Sequence, residues 1–239
     1  MIRVEATGVK KFFAGRLALD LDLTLTAGTL YAILGENGSG KSTCLRLFSL
    51  LERPDQGEVR YYEAGRLVPY SQALRRKIVL VPDRKGLFND TVLANAGYGL
   101  AIRGVANKAR QAAVAEALQA VGLWELRRHN ALTLSTGEAQ RLCLAMALAI
   151  GPEIILLDEP TSSLDPHNAL LVEEIIRTLK ARVQLVLLVT HNMFQARRLA
   201  DHVLFLHQGR LLEEGPSEDF FNRPATEIAS RFIAGEIVS

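Results

Sequence analysis

The segment Gly35-Glu36-Asn37-Gly38-Ser39-Gly40-Lys41-Ser42-Thr43 has the residue types and spacing of a phosphate-binding loop. A short apolar run, residues 30–34, precedes it, and a helix-like segment, residues 44–51, follows. Gly35, Gly38 and Gly40 allow the backbone to turn its N–H groups inward, where side chains would otherwise block a polyphosphate. The helix that follows adds open N–H groups and the positive end of its dipole. Lys41 can bridge the outer phosphates as a point charge, and the Ser42 hydroxyl is placed to ligate Mg2+. A glycine-rich strand-to-helix turn without a ligand is the alternative. The complete G-x-x-x-x-G-K-S between strand and helix argues instead for a nucleoside triphosphate site.

Further along the chain, Asp158 and Glu159 close the apolar run 154–157. In an open α/β sheet, ligands bind beyond the carboxyl ends of the strands, which is where this pair would lie. Asp158 can hold Mg2+ through its waters, and Glu159 can take a proton from an attacking water. Acidic residues at a strand end also simply begin turns, as Pro160 allows; the phosphate loop in the same chain favours the catalytic reading. His191 follows the next strand, residues 184–190, and reads either as a polar loop residue or as a catalytic group on the same edge. Leu134-Ser135-Thr136-Gly137-Glu138 contains the S-x-x-E capping box and opens a helix. A helix N-terminus with a hydroxyl and open N–H groups is also what a second phosphate contact needs. Phe12 and Phe13, in a turn spanning residues 11–15, either cover the core or offer a flat face to a nucleotide base.

The elements that must position these groups read as a mixed α/β chain. Leu19, Leu21, Leu23 and Leu25 alternate with polar residues, so residues 1 to about 30 form antiparallel-type strands. Residues 58–62 form another strand, and the β-branched run 77–81 fits a buried parallel one. From about 91 to 131, Ala113, Val114, Ala117, Leu118 and Val121 recur at helical spacing, as a mostly helical insert between sheet strands. A helix is expected over 166–181, a hairpin over 203–212, and a short amphipathic tail from Glu227 to Ile237. With 239 residues, 49% hydrophobic and 23% charged, the chain is ordinary for a globular protein able to bury a substantial core. Its net charge of +2 makes no case for nucleic-acid binding. Cys44 and Cys143 sit in apolar helix-like runs, as small core residues in a reducing compartment. Met1 to Thr7 alternates like a strand without a signal-peptide core, and the longest apolar run, 142–150, is well short of the roughly 20 residues that span a bilayer. The expected location is the cytosol, unless a partner recruits the chain to a membrane.

Taken in order, these motifs resemble the nucleotide-binding subunit of an ABC transporter, from about Val4 to Glu214. The phosphate loop is residues 35–43, the signature 134–138, and the acidic strand 154–159. Ser162-Ser163-Leu164-Asp165 is similar to the family's D-loop, and His191 to its switch histidine. The resemblance implies a P-loop NTPase core (about 1–88 and 135–215) with a mostly parallel sheet and an N-terminal antiparallel β subdomain. An α-helical subdomain (about 89–134) extends into the signature helix, and a C-terminal helical tail occupies about 216–239, all within one domain. It implies ATP and Mg2+ as ligands, with Phe13 stacking on adenine and Phe12 as the fallback. Gly35, Asn37, Gly38, Ser39, Gly40, Lys41, Ser42 and Thr43 would hold the phosphates, and Ser42, Asp83 and Asp158 the metal. Glu159 would be the general base, with His191 orienting the γ-phosphate and the water.

The same resemblance implies a head-to-tail pair of identical chains. Ser135, Gly137 and Glu138 of one copy would close over the nucleotide of the other, and Asp165 would pass information between the two sites. Hydrolysis would drive transmembrane permease subunits, which serve in turn a solute-binding protein, so the chain would be peripheral on the inner face of the cell membrane. The helical insert and the segment after Asp83 would receive the permease's coupling helix. Three positions depart from the family pattern: Asp83 stands where Gln is usual, Thr136 replaces a glycine, and Met146 an arginine. The run 191–196 and the tail 232–236 resemble import ATPases for oxyanions, tungstate or molybdate first, and amino-acid importers next. A soluble ABC ATPase without a transport role is the rival.

Overall fold

The computed structural model describes residues 1–83 and 86–236. The sequence Ile154-Ile155-Leu156-Leu157 is apolar at every position because both faces of its strand are covered. Successive side chains of a strand point to opposite faces. Ile155 and Leu157 accordingly pack with Val92, Leu118, Leu142 and Ile176, while Ile154 and Leu156 pack with Leu19, Leu45 and Phe48. Residues 185–189 divide in the same way, Val186 and Leu188 to the first group and Leu185, Leu187 and Val189 to the second. Such two-sided burial is the mark of a parallel sheet with a layer on each face.

Among the described residues ten strands form one sheet. Its antiparallel part comprises β1 (Ile2–Phe13), β2 (Arg16–Thr26), β4 (Gln56–Glu63) and β5 (Arg66–Val68). Its parallel part comprises β3 (Leu30–Gly35), β6 (Ile78–Val81), β7 (Ile154–Asp158) and β8 (Leu185–Val189), with β9 (His202–His207) parallel to β3. The hairpin partner of β9, β10 (Arg210–Pro216), meets β2 at the single pair Arg210 and Asp20 and joins the two parts. The order is β5-β4-β1-β2-β10-β9-β3-β8-β7-β6. Strands β3, β8 and β7 are therefore neighbours, and the loops after them open on one edge of the sheet.

The helices cover this frame. Helix α1 (Lys41–Phe48) and the antiparallel strands lie on one face, and α2 (Gln72–Arg76) precedes β6. On the other face lie α3 (Val92–Ile102), α4 (Asn107–Ala120), α5 (Thr136–Ile150) and α6 (Pro166–Arg182). Helix α7 (Met193–Leu199) leads into β9, and α8 (Ser217–Asn222) and α9 (Glu227–Ile233) place Phe220, Phe221 and Phe232 against Phe205. None of the described helices is long and apolar enough to cross a membrane.

The mixed α/β expectation holds, and the structure corrects several local ones. Lys11, Phe12 and Phe13 continue β1, and the turn is Ala14-Gly15 alone, both at positive φ. The pairing of Phe13 with Arg16 leaves room for just those two residues. Helix α1 stops at Phe48 because Leu50 turns left-handed, φ 60°. Strand β6 is parallel as expected but forms the sheet edge, so Val79 and Leu80 are only half-buried. The tail has an additional helix, α8, and its last helix ends at Ile233; Ile237 lies outside the described residues.

The end of α1 is held by one buried bond, from the Tyr61 hydroxyl to the Phe48 carbonyl at 2.5 Å. Burial pushes the Tyr61 phenol up, so it remains a donor. Tyr61→Phe leaves that carbonyl without its donor and is expected to lower the unfolding free energy by about 1–2 kcal/mol, read from urea denaturation.

Candidate functional site

The phosphate loop starts where the fully buried β3 runs out against β9. Gly35 has φ 149°, and a Cβ there would lie 2.1 Å from the Leu206 carbonyl oxygen and 2.7 Å from Ser39 Oγ. Gly40, at φ 100°, would bring its Cβ to 2.6 Å from the Ala18 carbonyl. Both positions therefore exclude side chains on contact as well as on backbone conformation. Helix α1 begins immediately afterwards, with no side-chain cap at Gly40, so its first N–H groups are available to an anion. The Ser39 hydroxyl is buried and has no hydrogen-bond partner. Lys41 folds back, donating to the carbonyls of Gly35 and Glu36 at 2.7 Å each. Burial lowers its pKa, and the nearby Glu159, Asp158 and Glu36 work against that shift.

Over the loop lies a cleft of about 330 Å³. It is lined by Phe13, by Asn37, Gly38, Gly40, Lys41, Ser42 and Thr43, and by Ala18, Glu159 and Val189. Phe13 is half-exposed there, with the Lys11 ammonium 5.7 Å from its ring centroid. Phe12 is not part of the lining.

The strand order brings the acidic pair to this cleft. The Ser42 hydroxyl donates to Asp158 Oδ1 at 3.3 Å, pairing a hydroxyl with a carboxylate in a site of oxygen donors. That set suits a hard cation such as Mg2+, which takes few protein ligands and keeps waters. Burial raises the pKa of Asp158, and Asp83 adds to the rise. Asp83 itself accepts from the Ser162 hydroxyl at 3.1 Å, which ties it to the loop after β7.

Glu159 sits at φ 47°, a left-handed conformation that non-glycine residues adopt at a cost, and its N–H donates to the Val189 carbonyl at 3.0 Å. His191 Nδ1 lies 2.9 Å from Glu159 Oε2, although not aligned as a hydrogen bond. Burial raises the pKa of Glu159, with His191 opposing. A carboxylate moved toward neutrality is a better proton acceptor than an ordinary one.

The residues of the 134–138 segment lie apart from this cleft. Ser135 and Glu138 make the full capping box of α5: the Glu138 N–H donates to Ser135 Oγ, and the Ser135 N–H donates to Glu138 Oε2 at 2.9 Å. A Cβ on Gly137 would lie 2.3 Å from Asn168 Oδ1, and Asn168 Nδ2 donates to Asp165 Oδ2 at 2.6 Å. Asp165 also caps α6 through the N–H groups of His167 and Asn168. Ser135, Gly137, Glu138 and Asp165 thus belong to one neighbourhood, and none of them lines the phosphate cleft. Sequence reasoning passed over the Ala18 and Leu206 carbonyls that shape the loop. As backbone groups on distant strands they leave no trace in residue type.

A family model described as ABC transporter matches residues 18–162. The chain is 40% identical to phosphate import ATP-binding protein PstB 2 of Natronomonas pharaonis, over 98% of this chain and 87% of that one. It is 36% identical to a probable anion import ATP-binding protein of Haloferax volcanii, over 95% of this chain and 84% of that one. A solved dimeric structure of the ATP-binding cassette MJ0796, in a post-hydrolysis state with ADP and Pi, is 28% identical. It superposes with a TM-score of 0.78, covering 90% of this chain and 98% of the other.

The capping box gives a pH test. Hydrogen bonds from Ser135 hold the Glu138 carboxyl below its ordinary value of 4.5. A lowered folded pKa means that the stabilisation is complete above pH 4.5 and is lost as pH falls through the folded value. Ser135→Ala is expected to destabilise by about 1 kcal/mol near neutrality. The difference from the unmodified chain should shrink below pH 4.5, as followed by urea unfolding across that range.

Proposed function

This chain belongs to the ABC transporter ATP-binding family, and from that premise we propose that two copies pair head-to-tail to hydrolyse ATP beneath an anion-importing permease. The family's cassettes are ATPases of the importer kind in the relatives described above. What carries the paired reading is the division of the site. The phosphate loop, Phe13 and Glu159 share a cleft, while Ser135, Gly137, Glu138 and Asp165 cluster outside it. A second copy in inverted orientation supplies the missing half, and the dimeric MJ0796 cassette supports such pairing.

In this reading Phe13 stacks on the adenine, and the backbone N–H groups of residues 35–43 surround the phosphates. Lys41 exchanges its two loop carbonyls for phosphate oxygens, with little reorganisation because it is already buried beside them. Ser42 and Asp158 would hold Mg2+, with Asp83 next to them, and the ion would neutralise charge on the phosphates. Glu159 accepts the proton of the attacking water, its basicity raised by burial, and His191, 2.9 Å from that carboxylate, orients the γ-phosphate and the water. The partner's Ser135 hydroxyl and Gly137 N–H complete the donor ring, and Asp165 links the two sites. The division into a core (1–88, 135–215), a helical insert (89–134) and a tail (216–239) belongs to the same proposal.

The permease would dock on the helical insert. Leu93, Tyr98 and Ile102 are exposed on α3, and a cleft of about 610 Å³ runs between Ile102 and Arg103 on one side and Leu51, Arg75, Arg76 and Leu80 on the other. Of the segment after Asp83, Arg84 and Lys85 lie outside the described residues. This contact places the chain at the inner membrane surface, with a solute-binding protein on the far side. The relatives favour an inorganic oxyanion as cargo, and phosphate before tungstate or molybdate.

Glu159→Gln is expected to reduce steady-state phosphate release by about 10²–10⁴-fold and to trap an ATP-dependent dimer in size-exclusion chromatography. An unchanged rate would remove Glu159 from the mechanism. Ile102→Glu is expected to leave ATP hydrolysis by the isolated chain intact while preventing co-purification with a multi-span membrane protein in detergent. Recovery of soluble partners only, by the unmodified chain, would favour the non-transport ATPase.

A further inference from the structure

Two side chains of α7, the helix after the histidine-bearing loop, reach across to the carboxylate-bearing loop and to α6. Gln195, four residues after His191, is fully buried, and its Nε2 donates to Thr161 Oγ1 at 2.8 Å. Thr161 lies two residues after Glu159. The Gln195 Oε1 has no hydrogen-bond partner, so the bond to Thr161 is what orients the amide.

Three residues further, on the same face of α7, Arg198 grips Glu173 with two bonds, Nε to Oε2 at 3.0 Å and Nη2 to Oε1 at 2.6 Å. Glu173 is only 1% exposed and lies within α6, the helix capped by Asp165. A buried carboxylate is tolerated when paired, and a bidentate guanidinium fixes direction as well as distance.

These ties cross a gap that opens beyond the last backbone bond between the two loops, from the Glu159 N–H to the Val189 carbonyl. A cleft of about 450 Å³ separates them, bordered by Thr161, Pro166, Glu173, His191 and Arg198. Packing alone does not hold His191 beside Glu159, because half of the histidine faces solvent and its Nδ1 is not aligned on the carboxylate. None of the four tying residues lines the phosphate cleft.

We infer that Thr161, Gln195, Glu173 and Arg198 form a positioning clamp that holds His191 on Glu159 and makes both move with Asp165 as one body. The inference rests on the ATPase reading above and adds to it. In the closed pair, a partner that engages Asp165 would move α6, and through Glu173 and Arg198 it would move the histidine. The clamp residues act through His191 and are not themselves catalytic.

Steady-state phosphate release with ATP and Mg2+, combined with amide hydrogen exchange, tests the clamp. Two double replacements are used: Thr161→Val with Gln195→Leu, and Glu173→Met with Arg198→Met. Both exchange the bonded groups for apolar ones, so no buried charge is left alone; if one pair does not fold, the other carries the test. The clamp predicts a kcat lower by about 10- to 100-fold, the size of a misplacement of roughly 1 Å. The KM for ATP should stay within about threefold, and exchange in residues 190–193 should accelerate while that of the phosphate loop does not. Arg198→Lys alone, which keeps the charge beside Glu173, should lose less kcat than the Glu173→Met and Arg198→Met pair. An unchanged kcat, or a loss without faster exchange at 190–193, overturns the clamp and leaves the ATPase reading standing. Absence of phosphate release by the unmodified chain would instead remove both.

Discussion

The site depends first on how closely two backbones approach where β3 ends. With no Cβ on Gly35, the chain turns against the Leu206 carbonyl of β9 and leads directly into the uncapped N-terminus of α1. Any side chain there would push β3 from β9 or turn the loop outward. Gly40 repeats the constraint against Ala18 on β2, so the loop is held between the parallel sheet and the antiparallel strands. Lys41 and the orphaned Ser39 hydroxyl are buried within that frame, which keeps their polar groups close to where phosphate would bind.

Around this loop, burial sets the electrostatics. It raises Asp158 and Glu159 and lowers Lys41, so each group is moved away from its ordinary charged state. A ligand carrying both negative phosphates and a cation, as proposed, would favour the charged form of each of these groups. The left-handed backbone at Glu159 adds strain at the same point. The signature end of α5, by contrast, is self-satisfied by its capping box. Its cap is complete within one chain, which suits the proposed role of a surface for a second copy.

Much of this was legible in residue order. The phosphate loop, the acidic strand end and the capping box each announce themselves within nine residues or fewer, because each is a local backbone arrangement with a fixed chemical demand. Where the reading slipped, a long-range contact had overridden a local signal. Phe12 and Phe13 looked like turn residues beside Gly15, yet pairing with β2 extends the strand to Phe13. The run 77–81 has the composition of a buried strand, but β6 is the last strand of the sheet and one side is left partly open.

The sequence by itself determined which groups are on offer: a glycine-rich loop ending in a lysine, two adjacent carboxylates at a strand end, a histidine and a second helix N-terminus. These follow from residue type at short spacing, where sterics and hydrogen bonding act over a few bonds. Only the tertiary structure decided which of them meet. Strand order puts β8 between β3 and β7, and so brings His191 and Glu159 to within 2.9 Å although 32 positions separate them. The same packing leaves Ser135 and Asp165 outside the cleft and joins Thr161 to Gln195 and Glu173 to Arg198. Nothing in the local sequence signals such pairings, because they are set by how the two faces of the sheet are covered and by which helices that covering presses together.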